Sequence, residues 1–287
     1  MNQTILFAIL TLSILGVASA VILYFIAQKF KVYEDPAIDV VNSMLPGANC
    51  GGCGYAGCRA LAELIVKTHE LDKYRCPVGG NDTIKNIAAY LGLQAAEMEP
   101  GVAVVRCNGS RANAPVRINY EGATSCAFSN SLSAGKSGCP FGCLGEGDCV
   151  SVCKFDAIVI DTITGLPIVD EEKCTACGAC VNACPRHIIE VRPKGKKSRR
   201  IYVSCVNREK GAIARKNCTV ACIGCGKCIK VCEYEAITLN ENLAYIDATK
   251  CRLCRKCVEA CPNQSIIELN FPQRKQKVED PVPVGEA

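Results

Sequence analysis

The sequence predicts a small α+β chain whose folded units are held by metal and tethered to a membrane by one N-terminal helix. Three observations carry this prediction. The N-terminus is an uncharged apolar run, 24 of 287 residues are cysteine, and the cysteine spacing repeats along the chain. Length alone allows about two domains. The cysteine density argues instead for several small units, each too small for a large apolar core. Regular short spacings argue against secreted disulfides and for free thiolates in a reducing compartment. The net charge of +5 is mild, and no Trp or aromatic stacking platform is present, so nucleic acid is not an expected partner.

No residue from Met1 to Gln28 is charged, and Ile5–Ile26 is apolar apart from Thr11, Ser13, Ser19 and small residues. A helix of that length spans about 33 Å, enough to cross a bilayer. Ala18-Ser19-Ala20 has the look of a signal-peptide cleavage site. However, no Lys or Arg precedes the run, and the run continues past that point. Residues 1–28 are therefore expected to be a retained transmembrane anchor. Lys29 and Lys31 follow directly, which places the C-terminal side in the cytoplasm.

Residues 29–92 form the first metal unit. Asp35-Pro36 can cap and start a helix over Ala37–Leu45, stopped by Pro46-Gly47. Cys50, Cys53, Cys58 and Cys76 then follow in the spacing C-x2-C-x4-C-x17-C-P. Glycines among them let the backbone wrap closely around a cluster. Leu61, Leu64, Ile65 and Thr68 fall on one helical face, so a helix returns the chain to Cys76. Gly52, Gly54 and Gly57 fit a dinucleotide-loop pattern only formally, because no strand precedes them. His69 reads as a surface residue.

Residues 93–134 read as a β-rich connector. Gly101–Arg106 and Val116–Tyr120 look like two strands around a turn, flanked by Cys107 and Cys126.

The C-terminal half carries the strongest signal. Cys222, Cys225, Cys228 and Cys232, then Cys251, Cys254, Cys257 and Cys261, give C-x2-C-x2-C-x3-C twice. In two-cluster ferredoxins, three cysteines of such a run hold one [4Fe–4S] cluster and the fourth reaches the other. Cys222, Cys225, Cys228 and Cys261 are thus expected to hold one cluster, and Cys251, Cys254, Cys257 and Cys232 the next. Zinc sites instead pair two short spacings.

At an offset of 79 residues the pattern repeats: Cys126, Cys139, Cys143, Cys149 and Cys153 align with Cys205, Cys218, Cys222, Cys228 and Cys232. Glu146 stands where Cys225 would fall, so Cys139 is the obvious substitute ligand. The expected sets are Cys139, Cys143, Cys149 and Cys184, and Cys174, Cys177, Cys180 and Cys153. Four similar texts follow the fourth cysteines, beginning Asp156-Ala-Ile, His187-Ile-Ile, Glu235-Ala-Ile and Ser265-Ile-Ile. Each is a turn feeding a short strand, and His187 belongs to this packing.

The full organisation is an anchor (1–28), a four-cysteine [4Fe–4S] module (29–92), a connector (93–134), ferredoxin-like domain 1 (135–192), a basic linker (193–212), ferredoxin-like domain 2 (213–270) and a disordered tail (271–287). Twenty cysteines fill five clusters, and Cys107, Cys126, Cys205 and Cys218 remain. These four can hold a sixth cluster, tune a neighbour, or be buried thiols. A further alternative makes Cys218 a ligand and Cys225 the spare. The linker residues Arg192, Lys194, Lys196, Lys197, Arg199 and Arg200 are either a solvated connection or a dock for an acidic partner.

The stretch Leu45-Pro-Gly-Ala-Asn-Cys50-Gly-Gly-Cys53-Gly-Tyr-Ala-Gly-Cys58, just after an anchor and followed by ferredoxin-like repeats, resembles the B subunit of the Rnf complex. Ala56 departs from the Pro found in many members. The resemblance covers nearly the whole chain. It implies a subunit of an ion-translocating ferredoxin:NAD+ oxidoreductase in the cytoplasmic membrane, with its soluble domains in the cytoplasm. Such a subunit accepts electrons from soluble ferredoxin and relays them to flavin-bearing and membrane-embedded subunits, while the complex exports Na+ or H+. No nucleophile, general base or nucleotide loop stands out, so no bond chemistry is expected on this chain. An electron-transfer subunit of a hydrogenase or formate dehydrogenase is the alternative, and a zinc-stabilised module the bland one.

Overall fold

The computed structural model describes residues 2–29, 35–118, 121–132 and 135–273. Helix α1 (Asn2–Lys29) is apolar on every side, and none of the stretch Ile9–Lys29 is buried by the rest of the chain. Among the described residues nothing covers it, so a surrounding of lipid or of partner helices is what its composition calls for. Lys31 lies outside the described residues.

Three helices make the N-terminal module: α2 (Pro36–Met44), α3 (Cys58–Thr68) and α4 (Gly80–Leu91). Asp35 caps α2 by accepting a hydrogen bond from the Ala37 amide at 2.9 Å, and Pro36 supplies the preset φ. Such a cap contributes about 1 kcal/mol. The core includes Ile38, Val41, Leu61, Ala62, Ile65, Val66, Ile87 and Ala88. The face of α3 is turned slightly from the expected one: Ala62 and Val66 point inward, while Leu64 is only half-buried. Gly92 ends α4 in the left-handed region (φ 67°), where glycine carries no Cβ penalty. His69 ends α3 in the same way and is exposed.

Four two-stranded antiparallel sheets make up the rest. Strand β1 (Gly101–Val105) precedes the helices α5 (Cys126–Leu132) and α6 (Asp148–Ser151). The hairpin β2 (Ile158–Ile160) and β3 (Pro167–Val169), helix α7 (Ala179–Ala183) and strand β4 (Ile189–Pro193) complete the first ferredoxin-like half. The second half repeats the plan with β5 (Arg200–Val203), α8 (Gly211–Asn217), α9 (Lys227–Lys230), the hairpin β6 (Ile237–Asn240) and β7 (Leu243–Ile246), α10 (Lys256–Ala260) and β8 (Ile266–Leu269).

Among the described residues the predicted hairpin between residues 101–106 and 116–120 does not form; Asn119 and Tyr120 lie outside them. Strand β1 pairs with β4, from Gly101↔Pro193 to Val105↔Ile189, and β5 pairs with β8 in the same manner. Val116 makes only an isolated bridge to Ser137. Burial explains the choice. Ala103 packs into the first ferredoxin core, while Val102 and Val104 pack against Tyr202 on the opposite face. Val116 and Ile118 are half exposed and offer β1 no such sandwich. Strand β1 of the connector therefore shares a sheet with β4 of the first ferredoxin-like half.

The basic linker is also more structured than a solvated connection. Arg192 and Arg200 are 3% and 5% exposed and pair with Glu190 and Glu171. Lys196 and Lys197 in the turn, and Arg208 and Lys210 further on, are exposed.

Candidate metal centres

In the N-terminal module, α3 carries Cys58 on its first turn, and the loop before it carries Cys50 and Cys53. Asn49 Oδ1 accepts the Cys58 amide at 2.8 Å and closes that loop. Cys76 is buried beside Cys53 and Cys58, and burial raises its thiol above the ordinary value. The Gly79 amide lies 3.4 Å from Cys76 Sγ.

In the first ferredoxin-like half, Cys153, Cys174 and Cys177 surround Cys180. Burial, reinforced by repulsion from Cys174 and Cys177, pushes the Cys180 thiol up to about 12. Amides of Ala103 and Ala157 donate to Cys174 and Cys153 sulfurs, each at 3.4 Å.

The neighbouring set departs from the sequence reading. A cavity of about 360 Å³ is lined by Cys126, Cys143, Cys149 and Cys184, and Cys139 is not among its lining. The cause is Asp148. Its carboxylate accepts from the Cys126 amide at 2.8 Å, the Ala127 amide at 3.0 Å and Ser125 Oγ at 3.0 Å. This fastens the start of α5, with Cys126, to the Cys149 loop. Burial acts to raise the Asp148 carboxyl, but these hydrogen bonds outweigh it and hold it below the ordinary value. Glu146, at the position of the missing cysteine, pairs with Lys136 at 2.7 Å and does not line the cavity.

Cys139 instead meets Cys107, Cys205 and Cys218 around another cavity of about 360 Å³. The predicted spare set held Cys126 in the place that Cys139 occupies. Asn207, fully buried, donates its Nδ2 to Cys139 Sγ and its amide to Cys205 Sγ, both at 3.4 Å. Burial pushes the Cys107, Cys205 and Cys218 thiols each up to about 11. Cys107 follows β1 as Cys205 follows β5, so each ferredoxin-like half contributes one cysteine after its first strand. Cys139 and Cys218 are the second pair of repeat equivalents.

In the second half the expected sets come together. Cys222, Cys225, Cys228 and Cys261 line a cavity of about 360 Å³, and Cys232, Cys251, Cys254 and Cys257 one of about 320 Å³. Cys225 and Cys254 are exposed.

Among the described residues, no three Cys, His, Asp or Glu side chains converge tightly enough to hold one metal ion. Four of the cysteine sets, those of Cys107, Cys126, Cys222 and Cys232, line spaces of about 320–360 Å³, and all 24 cysteines are free of disulfides. Four thiolates around such a space, with amides aimed at several sulfurs, fit a [4Fe–4S] cube, which carries single electrons when bound.

The cysteine sets adjoin one another in sequence. Gly52 lies so close to the second set that a Cβ there would sit 2.4 Å from the Cys177 carbonyl oxygen. Across the same junction Lys154 Nζ donates to the Ala48 and Asn49 carbonyls at 3.3 and 3.0 Å. The Cys143 amide reaches Cys107 Sγ at 3.4 Å, and the Cys222 amide faces the Cys205 sulfur.

Known proteins give the same picture. An Fe-S cluster family model matches residues 45–78, a 4Fe-4S binding domain residues 167–190, and a 4Fe-4S dicluster domain residues 221–265. The B subunit of the Na(+)-translocating ferredoxin:NAD(+) oxidoreductase complex of Acetobacterium woodii is 45% identical over 93% of this chain and 78% of its own length. The B subunit of an ion-translocating oxidoreductase complex of Methanosarcina acetivorans is 40% identical over 93% of this chain and 99% of its own length. The proton-translocating counterpart of Clostridium ljungdahlii is 37% identical, covering 92% of both chains. With cysteine sets of cluster geometry and relatives of this kind over almost its entire length, the chain belongs to the family of B subunits of ion-translocating ferredoxin:NAD+ oxidoreductase (Rnf) complexes.

Proposed function

We propose that this chain accepts electrons from soluble ferredoxin and conducts them, through six [4Fe–4S] clusters, toward the other subunits of an ion-translocating complex. The observation that supports this reading is contact between successive cysteine groups: Gly52 against Cys177, Cys149 beside Cys180, Cys143 against Cys107, Cys222 against Cys205 and Cys228 beside Cys257. The ligands are Cys50, Cys53, Cys58 and Cys76; Cys153, Cys174, Cys177 and Cys180; Cys126, Cys143, Cys149 and Cys184; Cys107, Cys139, Cys205 and Cys218; Cys222, Cys225, Cys228 and Cys261; and Cys232, Cys251, Cys254 and Cys257. The chain's own contribution is to hold each thiolate set, exclude water from the buried sets, and donate amide hydrogen bonds that tune them.

The N-terminal module follows the anchor in the chain and therefore lies nearest the membrane. Lys29, exposed on the last turn of α1, favours the cytoplasmic side for everything after it. Ferredoxin and NAD+ appear in the names of the relatives, and the coupled ion differs between them.

Iron and sulfide analysis of the anaerobically purified chain tests the six sets. About 24 iron atoms are expected, four per cluster. Cys139→Ala and Cys126→Ala should each lose about four, with different spectra. Equal loss of one and the same signal would return Cys139 to the ferredoxin-like set. Anaerobic mixing with reduced ferredoxin tests the donor: the iron–sulfur absorbance should bleach rapidly, and no bleaching of a loaded chain would remove ferredoxin as the direct donor.

A further inference from the structure

A cleft of about 1030 Å³ opens between the β4–β5 turn and the loop that carries Cys251. Its walls bring five cations together, Arg192, Lys196, Arg199, Arg200 and Arg252, against one carboxylate, Glu99. Two of these cations belong to the fold: Arg192 and Arg200 are buried and paired with Glu190 and Glu171. Arg192 also lies over the Tyr202 and Tyr245 rings. Even so, Arg192 Nη2, Arg199 Nε and Arg200 Nε are buried with no hydrogen-bond partner. Lys196, Arg199 and Arg252 have no ion-pair partner among the described residues, and Lys196 and Arg252 are exposed.

Exposed Lys196 and Arg252, with Arg199 beside them and no carboxylate paired to any of the three among the described residues, make the cleft a place to receive acceptor oxygens. Arg forks suit carboxylates in particular. The cleft is too broad for one small anion alone, and it opens at the molecular surface.

Its position supplies the second observation. Ile201, Cys251 and Arg252 line both this cleft and the cavity ringed by Cys232, Cys251, Cys254 and Cys257. Cys254 of that set is exposed. This is the cysteine set farthest along the series from the anchor. A protein seated on the cleft therefore rests against the loop that holds the outermost set.

We propose that this cleft is the docking site for the carboxylate-bearing face of a small acidic ferredoxin, with Lys196, Arg199 and Arg252 as the contacting cations. The proposal rests on ferredoxin being the donor and adds where it binds. It narrows the basic linker to two of its residues and adds Arg252, which lies more than fifty positions away in sequence. Arg200 is excluded as a contact because its charge is already committed to Glu171.

The test is equilibrium binding of oxidised ferredoxin to the immobilised, cluster-loaded full chain at low and high salt. The variants are Arg252→Glu, the double variant Lys196→Glu/Arg199→Glu, and Lys67→Glu as a control on the exposed face of α3. Iron content and circular dichroism establish that each variant is intact. Arg252→Glu and the double variant should each weaken binding about tenfold or more at low salt, with the difference shrinking at about 0.5 M salt. Lys67→Glu, which changes net charge by the same amount as Arg252→Glu, should leave affinity within about twofold. Equal affinity of Arg252→Glu and Lys67→Glu would overturn the dock while leaving ferredoxin as donor. Inorganic phosphate bound by the wild type and lost in Arg252→Glu, with ferredoxin affinity unchanged, would overturn it in favour of a small-anion site. Absence of wild-type binding would remove the donor reading and the dock together.

Discussion

Asn207 occupies a position at which one side chain touches two ligands of the same set. It is fully buried, donates to Cys139 Sγ, and places its own amide on Cys205 Sγ. Hydrogen bonds to thiolate sulfur favour the reduced, more negative state of a cluster. If the side-chain bond is worth about 1 kcal/mol more in that state, its loss lowers the potential by about 40 mV for one electron. Asn207→Ala is therefore expected to shift one midpoint down by that amount in an EPR-monitored redox titration, with the others unmoved. A shift of every midpoint would indicate a general loosening instead. Asp148 plays the corresponding part at Cys126. Asp148→Ala should cost about four irons per chain, because the start of α5 then has no tether to the Cys149 loop. The carboxyl is depressed, so its contribution to stability is present above the unfolded carboxyl range and lost as pH falls through the folded value. Neither residue was legible in the sequence, because both act through hydrogen bonds to backbone and sulfur. The exchange of Cys139 for Cys126 was hidden for a different reason. Cys107 and Cys205 are 98 residues apart while Cys139 and Cys218 are 79 apart, so an insertion in the first half conceals their equivalence.

At the scale of elements, local signals read well and non-local ones did not. The capping of α2, the end of α4 at Gly92 and the α3 stretch all follow from neighbours in sequence. The β1–β4 ladder joins residues about ninety positions apart, and nothing within β1 names its partner. The junction between the N-terminal module and the first ferredoxin-like half was equally silent. Gly52 abuts Cys177, and no side chain fits between them. Gly52→Val should force the two loops apart while each retains its four cysteines. Unchanged iron content is therefore expected, together with loss of the spin–spin broadening that neighbouring reduced clusters give in EPR. Lys154→Met, which removes the two bonds to the Ala48 and Asn49 carbonyls, should do the same more weakly. Broadening that survives both changes would show that this junction does not set the separation of the two sets.

The whole molecule divides into parts that depend on metal to different degrees. The N-terminal module packs eleven buried residues of which only Cys76 is a cysteine. Burying side chains such as Leu61, Ile65 and Ile87 contributes about 2 kcal/mol each, so α2, α3 and α4 have an apolar core of their own. In the second ferredoxin-like half, five of the fifteen buried core residues are cysteines: Cys205, Cys218, Cys222, Cys228 and Cys257. In the first half three of seven are: Cys149, Cys180 and Cys184. All of these but Cys180 border the cavities, so without clusters the cores have holes where their centres should be. The sheets are two-stranded and have little stability alone. Stripping iron with a chelator and oxidant should therefore melt residues 100–270, with amide exchange there becoming fast, while α2 to α4 stay protected. Protection persisting over β4 to β8 would mean that the cysteines pack as ordinary apolar side chains and that the clusters are only carried. Fast exchange throughout would mean that the N-terminal module also needs its metal, and that Cys76 matters more to it than its aliphatic core. The expected graded outcome follows from where the aliphatic residues are, since only the unit next to the anchor has enough of them to stand without iron.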